Sequence, residues 1–394
     1  MPHVLRTQHS IGQGCFFSEI HDWDGVHFHL VYDCGSGNGG IPTSDIQREA
    51  KWFNGAAVSS DPALSALVIS HFHADHVNGL EAINMSLFGR VYLPMLTDTE
   101  RDVVFIEAAY ASPSAIPLLS ALIYNPASLF GDATITYVRS GGDGDILAPT
   151  PIDVIPPDSF VSIGRGRVTA MSGSDNVSFG SAAQSAARWI LRFYCYKDNS
   201  RIARLIRMLT ILKFDRSMIY SPSRLRDWIS ANRHKIQSHY GTALGISKQG
   251  HNIVSLCCYS GPPDSRNPVP RSNVTGMSPW PYGSFGRGSF AGVGTPGWMG
   301  FGDLALNKRW TEVEEHYEHL MNNLGFVTVP HHGSKHNHDA RLFSGPRKIA
   351  CFSFGRENNH KHPSWAAVED VVMAGGLPFT VTETEWTRCT QVLT

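Results

Sequence analysis

The sequence predicts a layered α/β fold. Strands of buried type alternate with capped helices along its C-terminal part, the pattern of sheets covered by helices. At 394 residues the chain is long enough to bury a large core. With 42% hydrophobic and 17% charged residues and a formal net charge of −1, it is globular rather than disordered or fibrous. No window approaches the roughly 18 consecutive apolar residues that span a bilayer. The N-terminal MPHVLRTQHS lacks a charged-then-apolar targeting segment. The expected location is therefore cytoplasmic, without membrane contact.

Residues 1–90 read as β-rich. GVHFHLVYDCG alternates like a strand and runs into a glycine turn, and ALSALVIS is a nearly continuous apolar run. Thr97 with Glu100 forms a capping box for a helix from about Asp98 to Ala111, which Pro113 and Pro117 end. ATITYV and RVTAM are short strand-like pieces in a stretch rich in Gly, Asp and Pro.

Residues 183–248 carry thirteen Lys and Arg against three Asp and Glu, a local charge of +10 that leaves about −11 to the rest. Ile202, Leu205, Ile206, Leu209 and Leu212 share one helical face, and Arg201, Arg204 and Arg207 follow one another at every third position. Residues 130–248 therefore read as an inserted, partly helical basic region. That region is either a solvated helix face or a cationic surface for a polyanion such as nucleic acid. HNIVSLCCY reads as a buried strand with GWMGFGDL as its partner, and residues 260–300 between them as a Gly/Pro-rich loop with interspersed aromatics. Further on, Thr311 and Glu314 suggest a capped helix, followed by strand FVTVP, strand KIACFSF, a helix opened by Ser364 and strand PFTVTE.

The chemistry concentrates in histidine, of which there are 19. The seven cysteines form no CxxC pair and are odd in number, against both a disulfide framework and a thiolate cage. His71-Phe72-His73-Ala74-Asp75-His76 directly follows an apolar strand, and alternate residues of a loop leaving a strand can face one cavity. One segment cannot complete two coordination spheres. Further donors stand where other strands end: Asp303 after Phe301-Gly302, His331 and His332 after FVTVP, and His360 and His362 after KIACFSF. His27 and His29 form another HxH, but no Asp-His follows, so they read as alternate side chains on a strand.

HFHADH is the HxHxDH pattern of the metallo-β-lactamase fold. VYDCGSG near residue 33, NxxSL at Asn252–Leu256, FGDL at 301–304, VPHHGSKHN at 329–337 and SFGRENNHKHPS at 353–364 resemble, in the same order, the lactamase-like domain of ComEC-type DNA-internalisation proteins. Phosphorylcholine esterases are similar at a greater distance. The resemblance covers roughly 1–90 and 250–394. It implies one domain over 1–394, a four-layer αββα sandwich with the basic helical region inserted.

It also implies two divalent metal ions, Zn2+ or Mn2+: His71 and His73 on one, Asp75 and His76 on the other, Asp303 bridging, and His362 completing the second. One of His331 and His332 would complete the first, with His251 as a competing ligand. The spare imidazole, His332 or His331, would donate a proton, Ser334 and Lys335 would contact phosphate, and Asp75 would orient the nucleophile. Asn78 departs from the small or apolar residue usual after the Asp-His pair.

Two metal ions in such a site activate water. The expected activity is thus phosphodiester hydrolysis, as a nuclease on DNA or RNA bound through residues 183–248, with degradation of invading nucleic acid among the roles implied. A hydrolase of a small phosphodiester, a cyclic nucleotide or phosphocholine-type ester, is the second reading. A non-catalytic protein stabilised by its metals is the third.

Overall fold

The computed structural model describes residues 3–23, 25–37, 42–57, 60–140, 168–179, 189–243, 252–263, 272–278, 286–292, 294–359 and 361–394. They form two mixed β-sheets. In the first, the order is β12 (Gly286–Ala291), β11 (Ser272–Ser278), β17 (Cys389–Leu393), β1 (His3–Gln8), β2 (Gly14–Trp23), β3 (Val26–Ser36), β4 (Ala66–Val68), β5 (Arg90–Pro94), β6 (Thr134–Arg139), β7 (Val168–Ser172). Pairing is antiparallel from β12 to β3 and parallel from β3 to β7. In the second, the order is β16 (Leu377–Val381), β15 (Ile349–Ser353), β14 (Leu324–Thr328), β13 (Gly297–Gly300), β10 (Val254–Gly261), β9 (Trp189–Lys197), β8 (Asn176–Phe179). There β13 to β16 run parallel.

Side-chain alternation on the strands sorts the core into three layers, because successive residues of a strand point to opposite faces. On β3, Leu30 and Tyr32 pack between the sheets while Val31 points outward. On β14, Phe326 faces inward and Val327 outward. Between the sheets Phe17 stacks on Trp298 at 4.0 Å, and the Tyr32 hydroxyl donates to the Leu256 carbonyl at 2.8 Å. The outer face of the first sheet is covered by α1 (Ser44–Ala56), α3 (Asp98–Ala111), α4 (Ile116–Tyr124), α5 (Ala127–Phe130), α6 (Asn199–Ile211) and α7 (Pro222–Ala243). α8 (Leu306–Tyr317) and α9 (Trp365–Met373) cover the second, and a short helix, α2 (Ala74–Val77), follows β4. Helix, sheet, sheet and helix thus stack in that order. No helix among the described residues is long and apolar enough to cross a membrane.

The capping box of Thr97 and Glu100 forms as expected, with both reciprocal hydrogen bonds, and Ser364 caps α9 by accepting from the Ala367 amide. Three expectations change. Within residues 130–248, expected as an inserted, partly helical basic region, the described residues add β6, β7, β8 and β9 to the two sheets and α6 and α7 to the helical layer. Residues 260–300 contain a hairpin, β11 and β12, paired onto β17. A Cβ at Gly276 would lie 2.7 Å from the Phe379 ring, so this glycine permits a close approach of strands rather than a loop. Thr311 and Glu314 lie inside α8, which starts at Leu306 without a side-chain cap, and Glu314 instead accepts from the Trp310 indole at 2.9 Å.

Candidate metal centre

The parallel strands β4, β13, β14 and β15 deliver their C-terminal ends to one place, and the loops leaving them carry the histidines and aspartates. Clefts outside the carboxyl ends of parallel strands are where α/β sheets build sites. After β4 the chain passes Ser70 and His71 and turns into α2 at His73. That turn sits close against β2 and β3 because two glycines let it: a Cβ at Gly35 would lie 2.5 Å from backbone atoms of Asp75 and His76, and one at Gly14 would lie 2.5 Å from the Asp75 carbonyl oxygen. After β13 the chain turns at Gly302, φ +54, and presents Asp303. After β14, His331 (φ 48) and His332 (φ 58) take consecutive left-handed conformations. Such conformations cost of order 1–3 kcal/mol each for non-glycine residues and gather at functional sites. The His331 amide donates to the Gly302 carbonyl at 3.1 Å, which ties this strained turn to the loop of Asp303.

The side chains converge. Asp303 Oδ1 lies 3.4 Å from His76 Nε2 and 4.0 Å from His332 Nε2, and its Oδ2 lies 3.3 Å from His331 Nδ1 and 3.9 Å from His71 Nε2. Asp75 Oδ2 stands 3.5 Å from His332 Nε2. Donor atoms of His71, His76 and Asp303 lie within 4.8 Å of one another, as do those of Asp75, His76 and His332. His71 Nε2, His76 Nε2, His331 Nδ1, His332 Nε2 and Asp303 Oδ1 are all buried without a hydrogen-bond partner. Buried polar atoms without partners are rare and costly, so their concentration at one point demands an occupant. A divalent cation fits that demand.

The far nitrogens are held, which fixes which ring atom faces the centre. His332 Nδ1 lies 3.0 Å from the Ser353 carbonyl, an acceptor only, so Nδ1 carries the proton and Nε2 presents its lone pair. His76 Nδ1 is likewise held by Asp33 Oδ2 at 2.8 Å. The Ser70 hydroxyl donates to the same Asp33 oxygen at 2.6 Å and so accepts from His71 Nδ1 at 2.9 Å. Asp33 therefore orients His76 directly and His71 through Ser70.

Electrostatics point the same way. Burial opposes the charge of Asp303, but His331 and His76 hold its carboxyl well below the usual range, and the carboxyl of Asp75 is held low by His76 and His332 against the same burial. Burial pushes His71, His73 and His331 down, which favours the neutral imidazoles that bind metal. His76 is instead raised well above its ordinary value, its burial outweighed by Asp33, Asp303 and Asp75. The carboxylates thus call for positive charge at this point.

Of the residues expected at the site, His71, Asp75, His76, Asp303, His331 and His332 are brought together. His73 borders them with its ring 4.9 Å from that of His71, and the His362 ring lies 5.7 Å from His331 and 6.2 Å from His332. Lys335 is exposed. Ser334 is buried and its hydroxyl accepts from the His336 amide at 3.3 Å. Asn78 is bonded through both amide atoms to the Ser36 backbone at 2.8 Å, so it fastens β3 to α2. His29 is buried beside Ser65 and His27 is half-buried on the strand, and neither joins the donor groups of the centre. His251 and His360 lie outside the described residues, as do Trp280, Tyr282 and Phe285.

Sequence reasoning missed the role of Asp33. Its signal in the sequence was a carboxylate directly after the run Leu30-Val31-Tyr32; the structure buries it at φ 55, where a carboxylate without a partner would be prohibitive. Cys15 also joins Asp33 and His76 in a possible donor group, although burial, reinforced by Asp33, pushes its thiol up and keeps it protonated.

No protein-family model matches the chain, and no curated protein matches it. Among solved structures the chain is similar to unliganded yeast PDE1, at 9% identity and a TM-score of 0.38, over 100% of this chain and 99% of that one. A likeness at that level carries nothing about chemistry, and the site rests on its own geometry.

Proposed function

We propose that the chain is a metal-dependent phosphodiester hydrolase on a metallo-β-lactamase-type sandwich, with nucleic acid as its substrate. The observation that carries this reading is the set of five unpartnered buried atoms from the ends of β4, β13 and β14, the four imidazole nitrogens lying within 4.0 Å of the Asp303 carboxylate. His71, His76 and Asp303 form one donor group and Asp75, His76 and His332 the other, with Asp303 offering an oxygen to each side. Because His76 Nδ1 is held by Asp33, its Nε2 serves one group only. His73 and His362, which border the cluster, are the residues proposed to complete the two spheres. Imidazole and carboxylate donors without thiolate suit zinc or manganese. When bound, such cations lower the pKa of water toward about 7 and offset charge on phosphate oxygens.

The chain's own groups supply the rest. His332 is the more buried of the adjacent pair, and the His331 side chain is 20% exposed, so His331 is proposed as the edge of the cluster that meets the substrate. Asp75, beside His332, would orient the attacking water, and Lys335 would contact phosphate from the surface. The nucleic-acid assignment is supported by exposed Arg204 and Arg207 on α6 and Arg224, Arg226, Arg233 and Lys235 on α7. Arg201, expected in the same row, is instead 5% exposed.

The test offers labelled DNA and RNA, a cyclic dinucleotide and a phosphocholine ester to the metal-loaded protein, with bound metal measured in parallel. Cleavage of polymer that EDTA and His71→Ala both abolish is expected. Turnover of the small esters alone would overturn the polymer assignment, and failure to bind metal would overturn the hydrolase.

A further inference from the structure

We infer that Trp365 is a stacking platform for a nucleobase beside the candidate metal centre. The inference rests on the phosphodiester reading and narrows it to diesters that carry a base next to the scissile phosphate. Trp365 is 76% exposed, although indole is among the side chains that gain most from burial. Its place in the fold is tightly defined. The residue before it, Ser364, donates its amide to the Gly333 carbonyl at 2.9 Å, directly after the His331–His332 turn. Three residues back, the His362 ring lies 5.7 Å from His331.

The backbone under Trp365 is fixed from several sides. Ser364 caps α9, Val368 and Val371 are buried against the second sheet's outer layer, and Asp370 Oδ2 lies 2.6 Å from His338 Nε2 on the loop that follows His332. The helix is thereby clamped to the loop that carries the site, while the indole stands in solvent. The exposed charges of the two loops and of the first turns of α9 are Lys335, Arg356 and Lys361 against Glu357 and Glu369, a small positive balance. A flat aromatic face on the helix that follows a candidate metal centre for phosphodiester cleavage, with a small cationic excess on the same loops, matches one ligand chemistry, a base with its phosphate.

The experiment compares wild type, Trp365→Ala and Trp365→Phe on two esters with the same leaving group: the para-nitrophenyl ester of AMP and methyl para-nitrophenyl phosphate. Binding of AMP is followed separately by quenching of tryptophan emission. Trp365→Ala is expected to raise KM for the AMP ester about tenfold, the loss of one base-stacking partner, with kcat nearly unchanged. It should leave the methyl ester alone, and Trp365→Phe should restore most of the affinity. AMP should quench wild-type emission and barely affect Trp365→Ala. Equal effects on both esters, or quenching that survives Trp365→Ala, would overturn the stacking role. Quenching that depends on Trp365 in a protein that turns over neither ester would leave the stacking site standing and remove the hydrolase.

Discussion

Asp33 shows how much of the site is set one residue away from it. A carboxylate buried inside β3 would be prohibitive alone. Here it accepts from the Ser70 amide at 2.7 Å and the Ser70 hydroxyl, and faces His76 Nδ1. Asp33→Asn keeps the shape but removes the charge that holds His76 and Ser70. Metal affinity, measured by calorimetric titration, should fall roughly 10- to 100-fold, the usual effect of losing such a partner. Unchanged affinity would deny Asp33 its orienting part. His29, on the same strand, is one of the buried histidines that contribute to the pH response. Its ring lies edge-on to Phe53 and Phe88, and burial lowers its pKa to about 3. The unfolded chain takes up the proton near pH 6.5 and the folded chain resists it, so stability is present above about pH 6.5 and lost as pH falls toward 3. The slope approaches about 1.4 kcal/mol per pH unit for this group. His29→Gln should show a shallower acid loss than wild type in urea unfolding between those limits; parallel profiles would assign the loss to other groups.

At the scale of elements, the metal centre depends on how closely α2 is laid against β2 and β3. Gly35 and Gly14 make that approach possible, and Asn78 locks it through the Ser36 backbone. Gly35→Ala would set a methyl 2.5 Å from the backbone of Asp75 and His76, where neither side is a flexible chain end. The helix must shift, carrying two candidate ligands with it. Metal binding should be abolished or weakened at least tenfold, with a lowered melting temperature in thermal unfolding. A variant that binds metal as wild type does would show that α2 tolerates the displacement. The strained pair His331 and His332 belongs to the same argument: the hydrogen bond to Gly302 and the anchorage of His332 on Ser353 hold the turn in place.

For the whole molecule, the basic residues of 183–248 are partly gathered on one layer: Arg204 and Arg207 on α6 and Arg224, Arg226, Arg233 and Lys235 on α7 are exposed, while Asp75 and Asp303 meet at the candidate centre. Arg204→Glu together with Arg207→Glu should weaken binding to a long DNA and flatten its dependence on salt, by roughly one unit of slope for each phosphate left without its cation. Metal content should not change. Unaltered affinity and slope would make α6 a structural helix only. Arg201 is left out of the variant because it is 5% exposed and near Glu107, whose carboxyl burial raises to about 8 despite that neighbour. Reversing it would test folding rather than binding.

The strands, the capped helices at Thr97 and Ser364, and the His-Asp run were legible because each is a local pattern: period, cap or spacing within a few residues. Asp303 and the His331–His332 pair were legible as donors at strand ends. Their meeting was not, since residues 71 to 332 are joined only by the way β4, β13 and β14 align across two sheets. The same holds for what composition misreported. A glycine-rich segment proved to be the hairpin β11–β12 because Gly276 makes room for Phe379, and one of three evenly spaced arginines is buried where α6 packs on α3. Sequence by itself determined which chemical groups the chain carries and the local elements that hold them. Tertiary structure alone decided which groups face one another, because burial and close approach depend on neighbours that lie far away along the chain.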